Sequence, residues 1–318
     1  MRRMKRLIAT AMIAATVLCG CSRGIDGEYI AKAAGFSSSD RYGFELTLAP
    51  AVGEGISVEA STLDGARREV MELSGKKLYT GQTELILLQR RLAEEDTAGI
   101  TDALFEQSER QNMERIVICE GETAELLKET PKEIINALEN LKKTSYIAPA
   151  TVRSVYMASR AVDGCALIPY IGRDRIINRY ALIQDGRMTE LLDEDESRGA
   201  GFMNGQSRDF FTIDVGGDLR DAEISDADCE VRFSDDGEYR FEIIVSLKCS
   251  EDMQEAAEKY ICECVEKAAA AAKRSGADFL GLAARVLNSD NVLRDKYSGK
   301  WNEVIKSAVY TVETGESV

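Results

Sequence analysis

Histidine is absent from all 318 residues. Its absence removes the commonest general base and metal ligand, and with it the Ser-His and Cys-His dyads of nucleophilic catalysis. No GxxxxGK[ST] loop and no GxGxxG fingerprint occurs, so nucleotide phosphates find no recognisable cradle. Gly216-Gly217-Asp218 and Gly199-Ala200-Gly201 read as turns instead. No two cysteines stand in a CxxC pair, which excludes a zinc ribbon. Prolines number four and tryptophans one. Past the first 20 residues no apolar run nears the ~20 residues of a membrane-spanning helix.

Charge of one sign is also scarce. The net charge is −15, and the first 20 residues hold four basic side chains and no acid, so the rest of the chain stands at −19. Nucleic acid is excluded as a partner, because phosphate binding needs clustered lysine and arginine. An anionic bilayer would repel such a body unless something else held it there.

The front of the chain supplies that hold. Arg2, Arg3, Lys5 and Arg6 precede an apolar run from Leu7 to Leu18, too short for a comfortable span. The run ends in Leu18-Cys19-Gly20-Cys21, which resembles a bacterial lipobox: a bulky apolar residue, two small ones, then cysteine. Residues 1–20 are therefore expected to be a lipoprotein signal peptide, with Cys21 the lipidation site whose thiol accepts diacylglycerol. Two acyl chains at about 0.8 kcal/mol per buried methylene anchor stably in membrane lipid.

The remaining 298 residues are too many for one small core. Cys119, Cys165, Cys229, Cys249, Cys262 and Cys264 are scattered, and free thiols are the expectation. Strands are expected over Tyr29–Phe36, Tyr42–Leu48, Glu84–Leu88 and 115–119, alternating with helices at Leu63–Leu73, through Leu104 and Phe105, and at Glu122–Lys128. A helical bridge over Lys132–Ser159 is interrupted at Pro149. Ala166–Ile171, Tyr180–Gln184 and Arg187–Leu191 follow as strands, the last two joined by the hairpin turn Asp185-Gly186. Asp193-Glu194-Asp195-Glu196 lacks the spacing of a calcium loop and reads as a helix start. The last third predicts a hairpin, Ala222–Phe233 with Glu238–Cys249, then a long helix capped by Ser250, a second helix through Leu287, and a closing strand at Ser307–Val312.

The fold class expected is mixed α+β and α/β, in three small domains whose mixed or antiparallel sheets are flanked by helices. The division expected is signal peptide 1–20, anchored linker 21–27, N-terminal α/β domain with the bridge 28–160, middle domain 161–215, and C-terminal ββααβ domain 216–318.

Several stretches together resemble the Ger(x)C spore-germination lipoproteins, the C subunits of nutrient germinant receptors. They are Ile30–Gly35 and Phe44–Leu48 behind the lipobox, Thr62–Leu73 leading to Lys77–Leu88, and Arg110–Leu127. Further on come the hairpin Tyr180–Leu192, Gly201-Phe202-Met203-Asn204-Gly205, and Ala277-Asp278-Phe279-Leu280-Gly281-Leu282 with Trp301 downstream. Ser22-Arg23 and Gln82 depart from the family, which has Trp-Asp and a histidine there. The resemblance implies a non-enzymatic subunit with no catalytic residue, cofactor or metal, and Cys21 as its one transferable site. It implies residence on the outer face of the spore inner membrane, held by lipid, beside an A-type and a permease-like B-type membrane subunit. Two other readings stay open: a lipoprotein that delivers a small solute to a transporter, which needs two similar lobes, and a surface glycosidase, which needs two acids about 5–10 Å apart.

Overall fold

Short runs of aliphatic residues between turn formers dictate the first half, and they assemble into one large sheet. The computed structural model describes residues 27–107, 112–129, 131–161, 164–288, 290–297 and 299–315. Cys21 and the expected signal peptide lie outside these residues.

The chain enters at β1 (Glu28–Ser38) and continues through β2 (Phe44–Pro50), β3 (Ile56–Ala60), α1 (Leu63–Ser74), β4 (Lys77–Tyr79), β5 (Leu85–Gln89) and α2 (Arg90–Phe105). It goes on through β6 (Arg115–Cys119), α3 (Thr123–Glu129), α4 (Pro131–Thr144), β7 (Ala150–Thr151) and α5 (Val152–Ala158). Then come β8 (Cys165–Ile171), β9 (Ile177–Gln184), β10 (Arg187–Leu191) and α6 (Glu194–Met203). The sheet order is β10-β9-β8-β6-β5-β1-β2-β3, with β4 on β1 and β7 on β6. β1, β5, β6 and β8 are mutually parallel, and the outer strands are antiparallel.

The central strands explain themselves. Parallel strands covered on both faces need continuous apolar sequence, and β5 (Leu-Ile-Leu-Leu-Gln) is buried throughout. Its side chains alternate between two cores: Leu85 and Leu87 enter one, Ile86 and Leu88 the other. β6 splits the same way, Val117 and Cys119 against Ile116 and Ile118. α1, α2 and α5 cover one face through Val70, Leu92, Leu104 and Val155. Thr62 caps α1 by accepting from Gly65 N, and Gly75 ends it in the left-handed region at φ 64°. Leu73, near the end of α1, is 65% exposed.

The second face runs without a break into the C-terminal half. There β11 (Asp209–Val215) and β12 (Asp218–Ile224) form a ribbon, turned by Gly216 and Gly217. β13 (Asp226–Ser234), β14 (Arg240–Lys248) and β15 (Val309–Thr314) form a three-stranded sheet. Between β14 and β15 run α7 (Gln254–Ser275), α8 (Leu282–Leu287), α9 (Asn291–Tyr297) and α10 (Trp301–Ser307). α7 buries Ala257, Ile261, Val265 and Ala268 in one core that also holds Ala33, Leu85 and Val117.

The class is the expected one, sheets flanked by helices in several units. Three local expectations differ. The strand expected over Ala222–Phe233 is broken at Ser225, whose N–H is drawn to Lys248 O, so Ala222–Ile224 pairs with β11 instead. α7 starts at Gln254 without a side-chain cap, three residues past the expected cap at Ser250. Gly199 and Gly201 lie inside α6 and make no turn. The division expected at 160 cuts across the large sheet, because β8 pairs with β6 through backbone bonds that local sequence does not encode.

Among the described residues Cys119, Cys229, Cys249, Cys262 and Cys264 are free thiols. Burial pushes the Cys119, Cys229 and Cys264 thiols up to about 12 and Cys262 to about 11. Because the thiolate is the nucleophile, iodoacetamide at pH 8 should alkylate Cys249 of the folded chain at least about tenfold faster than the buried Cys119, Cys229 and Cys264. Peptide mass spectrometry over a time course reads this directly. Uniform labelling of the native protein would contradict the burial.

Candidate functional site

Cys21, the one site residue expected from sequence, lies outside the described residues. Within them the densest polar assembly surrounds α6, where the two halves meet. Asp193 begins this helix with a capping box: its carboxylate accepts from Glu196 N at 2.8 Å, while Glu196 accepts from Asp193 N at 2.9 Å. The acidic run 193–196 is thus the helix start expected, and its carboxylates are occupied.

From Ser197 to Met203 every residue of α6 is buried, and successive side chains hold different parts of the molecule. Ser197 Oγ accepts from Tyr180 N in β9 at 2.9 Å. The space at Gly199 is filled by the α7 backbone, and that at Gly201 by Tyr146 O. Asn204, following the helix, donates to Phe279 O at 2.8 Å. Arg285 of α8 donates to Met203 O and Cys229 O.

Arg198 is the centre, with its side chain only 4% exposed. Its Nε donates to Asp209 Oδ2 at 2.8 Å, and its two terminal nitrogens donate to Tyr260 Oη at 2.6 Å and Glu194 Oε1 at 3.1 Å. The guanidinium carbon sits 4.5 Å from the Tyr146 ring centre and 5.3 Å from that of Tyr260. Tyr260 donates onward to Asp195, which also accepts from Lys267. Burial opposes the Arg198 charge, but Asp209 overcomes it and holds the guanidinium above its ordinary value. Burial pushes Asp209 up to about 6, with Arg198 and Phe210 N pulling the other way. The pair ties β11 and α7 to the helix that follows the large sheet. Arg198 was not singled out in the sequence. Its one signal is a lone charge inside the small and apolar run Ser197-Arg198-Gly199-Ala200-Gly201-Phe202-Met203.

A second assembly explains Ala277–Leu282 and Trp301. Asp278 is 1% exposed. Its carboxylate accepts from Leu282 N, Ala283 N and, at 2.7 Å, Trp301 Nε1. The carboxylate starts α8 and anchors α10, while the indole packs against Phe241 and Phe233. Asp278→Asn keeps the shape but turns an amide NH2 toward an N–H donor. It should cost about 2 kcal/mol in a urea titration. Trp301 is the single tryptophan, so its native emission should also move to the red; an unchanged spectrum and midpoint would refute the role given to Asp278.

A cleft of about 290 Å³ opens beside these groups, lined by Pro149, Ala166, Leu167, Tyr180, Asn204 and Phe279 among others. Asp278 is the single carboxylate in its lining, and three donors already occupy it. The cleft offers no second acid for glycosidic chemistry.

Two family profiles match the chain end to end. The spore germination protein N-terminal domain covers residues 28–173, and the spore germination B3/GerAC-like C-terminal domain covers 178–315. The chain belongs to the Ger(x)C family of spore germination proteins. The family's two profiles meet in the β8–β9 hairpin, so β9 and β10 belong to the second profile while pairing into the sheet of the first. The crystal structure of the GerBC protein has the same fold, with a TM-score of 0.61 at 14% identity, covering 89% of this chain and 96% of that one. No curated protein matches.

Proposed function

We propose that this chain is the lipid-anchored, non-enzymatic subunit of a spore nutrient germinant receptor. It is held through acylated Cys21 on the outer face of the spore inner membrane, and it acts in germination signalling with membrane-embedded A- and B-type subunits. The observation that carries this reading is the succession of the two family profiles over residues 28–315. Three others support it. The lipobox-like Leu18–Cys21 precedes the first strand by only a few residues. Among the described residues no helix is long and apolar enough to cross a membrane, which leaves room for a lipid anchor. The polar centres around Arg198 and Asp278 are internally satisfied and join structural units. The alternative, a solute carrier, expects two like lobes, whereas here a ten-stranded sheet faces sheets of two and three strands.

The test is Cys21→Ala in spores. The expected result is loss of the protein from the membrane fraction together with loss of nutrient-triggered germination, with growth and sporulation intact. Germination that persists after the protein has left the membrane would overturn the receptor role. Undiminished membrane retention would overturn the anchor.

A further inference from the structure

Large exposed apolar side chains are unevenly placed on the first half of the molecule. The register puts the start of β1 beside Lys77 of β4 and near the end of β2, so the β2–β3 turn and the α1–β4 turn share the end at which the chain enters the fold. At that end Val52 is 91% exposed, Leu73 65% and Met71 44%. Met113 and Met157 are also exposed at this end, further along the sheet. Single exposed apolar residues need no explanation, but a group at one end does.

Charge here differs from that of the whole molecule. Lys76 and Lys77 are exposed on the α1–β4 turn and stand against Glu28, Glu54 and Glu72, so this end has only a small excess of acid in a chain of net charge −15. An anionic surface repels it only weakly. Chain length then sets its distance from lipid. Seven peptide steps separate Cys21 from Glu28, a reach of at most about 25 Å. β1 carries the chain about 35 Å onward to the opposite end, where Tyr42 lies.

We infer that this end of the large sheet is a membrane-docking surface: Val52, Met71 and Leu73 enter the headgroup region of the bilayer, flanked by Lys76 and Lys77. Contacts of this kind reach about 5–10 Å into the boundary between headgroups and acyl chains. The inference rests on the lipid anchor proposed at Cys21. Anchor and docking face together fix an orientation that a single flexible tether would leave free.

The test uses the full, acylated chain in vesicles of phosphatidylglycerol and phosphatidylethanolamine. Val52→Cys, Leu73→Cys and, as the far-end control, Tyr42→Cys, each in a chain carrying Cys249→Ser and Cys262→Ser, receive an environment-sensitive fluorophore, and quenching by doxyl-labelled lipid is measured in the floated fraction. Labels at 52 and 73 should be quenched on the order of threefold more than the label at 42. Flotation with equal quenching at the three positions overturns the docking surface and leaves the anchor standing. Failure to float overturns the anchor, and the docking surface with it. Labels unquenched in pure lipid yet shielded from iodide in native spore membranes overturn lipid as the occupant and indicate a membrane-embedded protein.

Discussion

Gly199→Ala should destabilise the folded chain by about 3 kcal/mol, although alanine is the better helix former by about 1 kcal/mol. The two effects oppose each other, and packing decides. A Cβ at 199 would stand 2.2 Å from Cys264 O, 2.5 Å from Cys264 C and 2.8 Å from Val265 N. These are backbone atoms in the middle of α7, so no side-chain rotation relieves the contact; the two helices must move apart. Gly201→Ala meets Tyr146 O at 2.2 Å and should behave alike. Gly121→Ala is the control, since nothing lies within 4 Å of its Cβ position; it should be neutral or slightly stabilising. Thermal unfolding followed by circular dichroism would show a fall of several degrees for 199 and 201 and none for 121. Equal midpoints for all three would mean that α6 and α7 are not in close contact.

Removing Arg198 should have a similarly large effect, with a pH signature. Arg198→Met leaves Asp209, 2% exposed, as a buried carboxylate without its cation, at a cost of about 3–5 kcal/mol near pH 7. Burial already pushes Asp209 up to about 6 in the intact chain, against about 3.9 unfolded. A group raised in this way contributes most to stability below its unfolded pKa and loses that contribution as pH rises through the folded value. Loss of the guanidinium moves the upper limit higher still. The deficit of Arg198→Met should therefore be largest at pH 7 and above, and shrink as pH falls to 5. Adding Asp209→Asn to Arg198→Met should recover much of the loss and abolish its pH dependence. A deficit that is constant from pH 5 to 8 would place the effect in lost packing.

Features set by neighbours in sequence were legible before the structure. β5 and β6 announced themselves as unbroken apolar runs, the Asp185-Gly186 turn as a pair suited to positive φ, and α7 by its three-and-four repeat. What escaped depends on residues far apart. Glycines at 199 and 201 look like helix breakers until the α7 backbone is seen filling the space above the first and Tyr146 that above the second. β11 carries one acid, Asp209, inward beside Phe211 and Ile213, so its pairing with β12 had little local signal. Arg198 gains its meaning from Asp209, Tyr260 and Tyr146, none of which lies within one helical turn of it.

The position of β15 has a consequence for the order in which the molecule forms. It lies at the end of the chain yet pairs in parallel with β14, from Val309 beside Arg240 to Thr314 beside Val245, with α7 to α10 folded between them. Parallel pairing across so long a crossover is slow, because the loop must close before any contact offsets the entropy lost. During synthesis β14 emerges some sixty residues ahead of its partner and waits with one edge open. That open edge is a template for foreign strands. Charged side chains line the hairpin, with Glu230 and Glu242 on Arg232 and Glu238 on Arg240, and such charges discourage a foreign strand until the chain's own last segment arrives.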